Sequence, residues 1–405
     1  MGKKKILNPL KDFREDKLEI LPSKEPELIP NNPFQRIIPV CEPLLDEKEE
    51  KHVLECLRSG WISSLGRKVD EFEEKFARKV GAKYGVAVTS GTTALHLALY
   101  TLGIGEKDEV IIPTFTMIAT ANAVRYCGAK PVLIDSEPYT WNIDAKKIEE
   151  KITSRTRAIM PIHTYGHPCD MDKILEIAQK YDLWVIEDAA EAHGAEYKGK
   201  KVGSIGDCAC FSFYANKIVT TGEGGIITTN NREIYERART LRGHAFSEER
   251  HFWHRLLGFN YRMTNLQAAI GLGQLEKFEE LVGRRIENAQ LYSSLLKDIK
   301  GLELPPETPG IKNVFWMYGI RVKKDFGVSR DELREKLAKK GIETRTFFIP
   351  VHLQPIYWKE YLEEEFPVAE MLCKEGLYLP SSSGLSKEEI YFIVECIRKI
   401  ATHEV

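Results

Sequence analysis

No stretch of this 405-residue chain is both long and apolar enough to cross a bilayer as a helix, so a membrane-spanning protein is not expected. Net charge is equally scarce: 58 basic residues stand against 60 acidic ones, leaving −2. No global field gathers nucleic acid or an anionic membrane, and a charged ligand has to be met by a local site. Cysteine is sparse and scattered. Its eight positions, 41, 56, 127, 169, 208, 210, 373 and 396, include no CxxC pair, which argues against a disulfide framework and against a bound metal. Free thiols in a reducing compartment, the cytoplasm by default, are the expectation. Internal repeats and low-complexity tracts are also missing. No GxGxxG or GxxxxGK[ST] string follows a strand pattern, which removes the two best-known nucleotide loops. The opening MGKKKILNPL is basic but has no apolar stretch of signal length, and Ile6 stands where myristoylation expects Ser or Thr.

What is present is a globular balance, 43% hydrophobic and 29% charged, on a chain whose length predicts two domains. Residues 1–36 are rich in Lys, Glu and Pro and read as an N-terminal arm, extended or partly disordered, either loose or docked on a neighbour. Residues 37–262 read as a large α/β domain. Short β-branched runs at 86–89, 110–113, 131–135, 158–162, 183–187, 210–213 and 225–229 alternate there with amphipathic stretches, which predicts a mostly parallel central sheet flanked by helices. Residues 263–297 predict one long bridging helix, because Leu266, Ala269, Ile270, Leu272 and Leu275 fall near helical spacing and no Pro interrupts them. Residues 298–405 predict a smaller α+β domain, with a strand over 315–322 and helices over 329–339 and 387–401.

Three junctions carry chemistry. In Thr89-Ser90-Gly91-Thr92-Thr93-Ala94 a strand ends in hydroxylated residues and runs straight into an apolar helix. Such a junction offers backbone N–H groups, hydroxyls and the positive end of a helix dipole to a phosphate; an ordinary N-cap has the same composition. In Trp184-Val185-Ile186-Glu187-Asp188 an apolar strand delivers a carboxylate at its carboxyl end, where open α/β sheets bind ligands. Asp188 can pair there with a pyridinium nitrogen, and a capping Asp is the plainer alternative. In Phe211-Ser212-Phe213-Tyr214-Ala215-Asn216-Lys217 a lysine follows an apolar strand, and the glycines of Gly222-Glu223-Gly224-Gly225 let the chain double back. A desolvated lysine amine is available for Schiff-base chemistry, whereas most lysines are solvated surface groups. Together, and in this order, the three features are those of an α/β enzyme dependent on pyridoxal phosphate (PLP).

The strings SGWISSLGR, SGTTALHLAL, VIEDAAEAHGA, GDCACFSFYANKIVTTGEGG and GFNYRMTNLQAAIGLGQLE resemble the DegT/DnrJ/EryC1/StrS family of sugar-nucleotide aminotransferases, from about residue 36 to the C-terminus. The resemblance implies the fold-type I PLP-dependent transferase architecture and PLP as cofactor. It implies that Lys217 carries the cofactor, that Asp188 pairs with its ring nitrogen, and that Glu191 sits near its phenolic oxygen, where many relatives have Gln. Thr92, Thr93 and Ser212 match phosphate ligands. Asn260 matches a residue contributed by the neighbouring subunit, which implies a homodimer with shared active sites. Met117 departs from the family, which often places an aromatic ring against the cofactor face; a thioether also covers a π-face. The N-terminal arm is a second departure.

The implied reaction takes the amino group of glutamate and places it on C4 of a nucleotide-linked 4-keto-6-deoxy sugar. GDP-4-keto-6-deoxymannose leads, because SSLGR and GFNYRMTN resemble perosamine-forming members; UDP- or dTDP-linked 4-keto sugars come next and 3-keto sugars last. Trp61, Ser63, His163, Tyr165, Tyr318 and His352 fall in segments the family uses around its sugar pocket, and core packing explains each of them equally well. Arg262 and Arg345 are the candidate cations for the diphosphate. Three other readings compete. A PLP-dependent sugar dehydratase would replace Lys217 with His; a non-catalytic binding or regulatory protein would have little need of the Asp188, Ser212 and Lys217 set; a generic nucleotide binder lacks its loop.

Overall fold

The apolar runs between residues 84 and 229 assemble into one seven-stranded sheet in the computed structural model, which describes residues 32–402 apart from 248 and 251. The strands are β1 (Tyr84–Val88), β2 (Glu109–Pro113), β3 (Lys130–Ile134), β4 (Thr156–Ile159), β5 (Trp184–Asp188), β6 (Cys208–Ser212) and β7 (Gly225–Thr229). Their spatial order is β1-β7-β6-β5-β4-β2-β3. β2 through β6 pair in parallel, and β7 alone runs against both of its neighbours. The expected mostly parallel sheet is present, with every expected strand in it and ends shifted by at most three residues. Parallel sheets are covered on both faces, and β2, β6 and β7 are accordingly buried at every position.

Helices α1 (Glu47–Ser59) and α2 (Arg67–Lys79) precede the sheet, and α3 (Gly91–Thr101), α4 (Ala119–Tyr126), α5 (Met171–Tyr181) and α6 (Arg232–Arg242) connect or follow its strands. Phe72 and Phe76 of α2 lock onto Phe211 and Phe213 in edge-to-face contacts of 4.9–5.1 Å between ring centres. That cluster fixes the carboxyl end of β6, the strand that leads to Lys217.

The stretch 263–297 corrects the expectation of one bridging helix. It folds as α7 (Asn265–Glu276) and α8 (Phe278–Leu296), broken at Lys277, whose φ of −118° and ψ of 21° are not helical. The apolar spacing runs through the break without a signal. The physical cause is a buried ionic knot: Lys277 Nζ lies 2.8 Å from Asp46 and 3.1 Å from Glu49, while Gln274 Nε2 donates to Glu49 over 2.7 Å. A buried ammonium is tolerated only with such partners, and reaching them takes the chain out of register.

Beyond α8 come β8 (Leu302–Glu303), β9 (Tyr318–Val322), β10 (Arg345–Thr346) and β11 (Gly376–Leu379), an antiparallel sheet in the order β8-β9-β11-β10. Helices α9 (Arg330–Ala338), α10 (Pro367–Glu375) and α11 (Lys387–Ala401) accompany it. A second apolar core forms from Tyr318, Ile320, Ile393 and Ile397, with Tyr292 and Leu296 of α8 and Ile38 from the N-terminal side. The opposite end of α8 buries Phe278 and Leu281 in the first core, so this helix does bridge the two. Most of the expected arm, 1–31, lies outside the described residues; at its end Asn32 Nδ2 donates to the carbonyls of Arg36 and Lys340. Among the described residues no helix is long and apolar enough to cross a membrane.

Candidate active site

A cleft of about 430 Å³ opens where the carboxyl ends of β5 and β6 meet the N-terminus of α3. This is the strand-end crevice in which open α/β sheets bind ligands. After Ser212 the chain makes a tight excursion and returns as β7. Phe213 N donates to Gly224 O over 2.8 Å, and the Thr221 amide and Thr220 hydroxyl both donate to Phe213 O over 2.9 Å. Gly222 takes a φ of +80°, which a side chain would strain. Lys217 sits on this excursion with its amide bonded to Tyr214 O over 2.8 Å and its Nζ 3.5 Å from the centre of the Trp316 ring.

Burial dominates the electrostatics. Desolvation pushes the Lys217 amine below its ordinary range, opposed by the carboxylates of Glu191 and Asp188. Asp188, the last residue of β5, is pushed up by burial, while the Thr120 hydroxyl at 2.8 Å and the Ala190 amide at 3.3 Å favour its ionised form. Glu191 is raised by burial from 4.5 to about 7, although the Tyr165 amide donates to its Oε2 over 2.7 Å. The arrangement supplies a nucleophilic amine, a carboxylate aimed from a strand end, and a second carboxyl that titrates near neutrality.

The third wall is the start of α3. Ser90 Oγ accepts from Thr93 N over 3.2 Å, and Thr93 Oγ1 accepts from Ser90 N over 3.0 Å, a capping box. Gly91 and Thr92, whose amides have no intrahelical acceptor by the geometry of a first turn, line the cleft beside Ser212. Backbones converge tightly here. A Cβ on Gly225 would fall 2.3 Å from Ser90 O, and one on Gly91 would fall 2.7 Å from Ser212 Cβ. These residues fit PLP. The amine suits an aldehyde, Asp188 suits a ring nitrogen, the glycine-cleared helix start suits a phosphate, and the buried Asn216 Oδ1 in the wall has no partner among the described residues.

The structure brings together Thr92, Met117, Asp188, Glu191, Ser212 and Lys217 in this one cleft. It places other expected residues elsewhere. The Thr93 hydroxyl is committed to the cap. Asn260 is exposed outside the cleft, its Oδ1 accepting from the Arg262 guanidinium at 2.9 and 3.1 Å. Trp61 and Ser63 are also exposed and lie off the cleft, their carbonyls held by Asn265. His163, Tyr318 and His352, expected at the sugar pocket, are buried with partners of their own. His163 bonds Glu187 through Nε2 and accepts the Cys169 amide at Nδ1; Tyr318 bonds Ser293 and stacks on Tyr292; His352 bonds Thr114 and lies on Phe366. Tyr165 is buried behind the cleft against Phe347 and Phe348. Of the two candidate cations, Arg345 lines the cleft and Arg262 does not. Sequence reasoning missed Thr120, Asn216, Trp316, Phe348 and Tyr378. Only Thr120 had a usable signal, a hydroxyl in the first turn of α4, the helix that follows β2; the others arrive through tertiary packing.

A strand-end Asp, a lysine one turn beyond the neighbouring strand and a phosphate-type helix start on a mostly parallel sheet define a PLP-dependent transferase of fold-type I. The description "DegT/DnrJ/EryC1/StrS aminotransferase family" matches residues 43–398. GDP-perosamine synthase of Caulobacter vibrioides is 48% identical over 364 residues, covering 90% of this chain and 98% of that protein. GDP-perosamine synthase of Escherichia coli O157:H7 is 46% identical over the same length and the same shares of each chain. Among solved structures, Spr1654 of Streptococcus pneumoniae in its PLP form has a TM-score of 0.85 at 29% identity, covering 91% of this chain and 100% of that one. The chain therefore belongs to the DegT/DnrJ/EryC1/StrS aminotransferase family. It is a PLP-dependent sugar aminotransferase, and the dehydratase and non-catalytic readings fall away.

Proposed function

We propose that the chain transfers the amino group of glutamate to C4 of GDP-4-keto-6-deoxymannose, forming GDP-perosamine. The observation that carries amino transfer is the desolvated Lys217 amine in the cleft it shares with Asp188, Glu191 and the α3 N-terminus. The choice of GDP and of perosamine is supported by likeness to the two perosamine synthases.

PLP, when bound, supplies an aldehyde and a ring that accepts electrons. The chain's own residues do the rest. Lys217 Nζ holds the cofactor and, once displaced, carries the proton to and from the carbon that bears the transferred nitrogen. Asp188 holds a proton on the ring nitrogen; facing a cationic ring returns its carboxyl, raised by burial, to the ionised form. Thr120 and the Ala190 amide keep that carboxylate oriented. Glu191, pinned by the Tyr165 amide, faces the phenolic oxygen. Thr92, Ser212 and the start of α3 hold the phosphate. Met117, half exposed in the cleft wall, covers the cofactor face in place of an aromatic ring. Arg345 supplies positive charge for substrate carboxylate or diphosphate.

A second copy of the chain completes the phosphate end with Asn260. Its support is that Asn260 is exposed outside its own cleft, three residues after Leu257, which is 73% exposed. Eight free thiols suit the cytoplasm. Incubation with PLP, glutamate and, separately, GDP-, UDP- and dTDP-linked 4-keto-6-deoxy sugars tests the substrate reading by mass spectrometry of the products. Amination of the GDP sugar is expected; amination of only a UDP or dTDP sugar refutes the GDP assignment.

A further inference from the structure

We propose that the buried indole of Trp316 is the resting place of the Lys217 amine, holding Nζ inside the cleft as an ammonium in the cofactor-free protein and, during turnover, while it carries the proton it has taken, with Arg285 fixing the Trp316 backbone in position. This rests on the reading of Lys217 as the PLP lysine. It makes Trp316 and Arg285 positioning residues for the proton carrier.

The geometry is unusual within this molecule. Lys217 Nζ lies 3.5 Å from the ring centre, whereas every other such contact among the described residues falls between 5.1 and 6.0 Å. A cation over an indole face is attracted by the ring quadrupole, and more strongly when water is excluded. Trp316 is 3% exposed.

The face is clamped rather than merely packed. Trp316 Nε1 donates to Asn216 O over 2.8 Å, and the Cys41 thiol donates to the same carbonyl over 3.1 Å. Asn216 immediately precedes Lys217, so indole and lysine are fixed to one peptide. From α8, the buried Arg285 donates through Nη1 to Trp316 O over 2.8 Å, through Nη2 to Cys41 Sγ over 3.1 Å, and through Nε to Ser383 Oγ over 3.1 Å. All three acceptors are neutral, so among the described residues the guanidinium has no carboxylate partner and keeps its charge close to Lys217.

That sets up a balance on Nζ. Burial and Arg285 disfavour its ammonium form; Glu191 and Asp188 favour it, and the other ionisable groups around it are Tyr214, Glu223, Arg345 and Tyr378 in the cleft wall, Tyr165 and the Cys41 thiol beside the indole, and the buried His193. The indole face adds to the favouring side at a fixed point. A long, flexible side chain displaced by an incoming amine would otherwise be free to leave the reacting carbon. Parked on Trp316 it stays beside Glu191 and Asp188, charged and ready to return a proton.

The test reads the amine itself in cofactor-free protein. Lys217 is titrated by competitive acetylation against pH with peptide mass mapping, in wild type, Trp316→Leu and Trp316→Phe. Lys217 of Trp316→Leu is expected to titrate about one pH unit lower than wild type, because the ammonium loses its π-face. Trp316→Phe, which keeps a ring and loses the indole N–H bond, should retain most of the wild-type value. Trp316→Met replaces the Leu variant if that does not fold. A wild-type titration in Trp316→Leu or Trp316→Met overturns the proposal, as does a fall in Trp316→Phe as large as in the apolar variant. Failure of the underlying reading is separately visible: borohydride reduction of PLP-loaded wild type would then mark a lysine other than Lys217.

Discussion

Glu191 shows how a single buried group sets the behaviour of the site. Its carboxyl is raised from 4.5 to about 7 by burial, against the pull of Lys217 and the Tyr165 amide. A carboxyl raised on folding contributes stability that is fully present below its ordinary value and lost as pH rises through the folded value. In cofactor-free protein, the melting temperature of wild type should therefore fall between about pH 4.5 and 7 relative to Glu191→Gln. Parallel curves for the two proteins would contradict it. The residues that sequence reasoning located best were those whose position follows from a strand end, Asp188 and Lys217. Thr92 and Thr93 are adjacent and chemically alike, yet one lines the cleft and the other closes a cap, a distinction set by helix phase and invisible in composition. His163 failed for a similar reason. Its segment does run past the site, but its ring faces the other way, into a carboxylate hub where Glu187 also accepts the amides of Gly203, Ile205 and Gly206.

Among the elements, the parallel strands were legible because burial on both faces demands unbroken apolar runs, and β7 was legible for the same reason although it runs the other way. Helix α11 was legible to the residue, since Ser386 caps it and its apolar stripe is uninterrupted. The break between α7 and α8 was not. It depends on Lys277 meeting Asp46 and Glu49, more than two hundred residues earlier in the chain, and periodicity carries no such information. Apart from Arg345, already a candidate cation, the far wall of the cleft was hidden in the same way: Trp316, Phe348 and Tyr378 come from separate segments of the smaller sheet region and meet only when it docks beside β5 and β6.

For the whole molecule, the two cores share α8, and the cleft lies where residues from both sides meet, so a cofactor held there would also tie the halves together. One chain brings every expected cofactor contact except Thr93 and Asn260 into its own cleft. If a second copy supplies Asn260, co-expressed Lys217→Ala and Asn260→Ala should recover roughly a quarter of wild-type activity, because half of the dimers are mixed and each has one intact site. Activity no greater than the sum of the two variants alone would contradict shared sites. The most direct test of the central claim, that Lys217 is the residue through which this chain holds PLP, is borohydride reduction of the PLP-loaded protein followed by peptide mass mapping. The account predicts a pyridoxyl group on Lys217 in wild type and none in Lys217→Ala; a pyridoxyl group on a different lysine, or none in wild type, would contradict it.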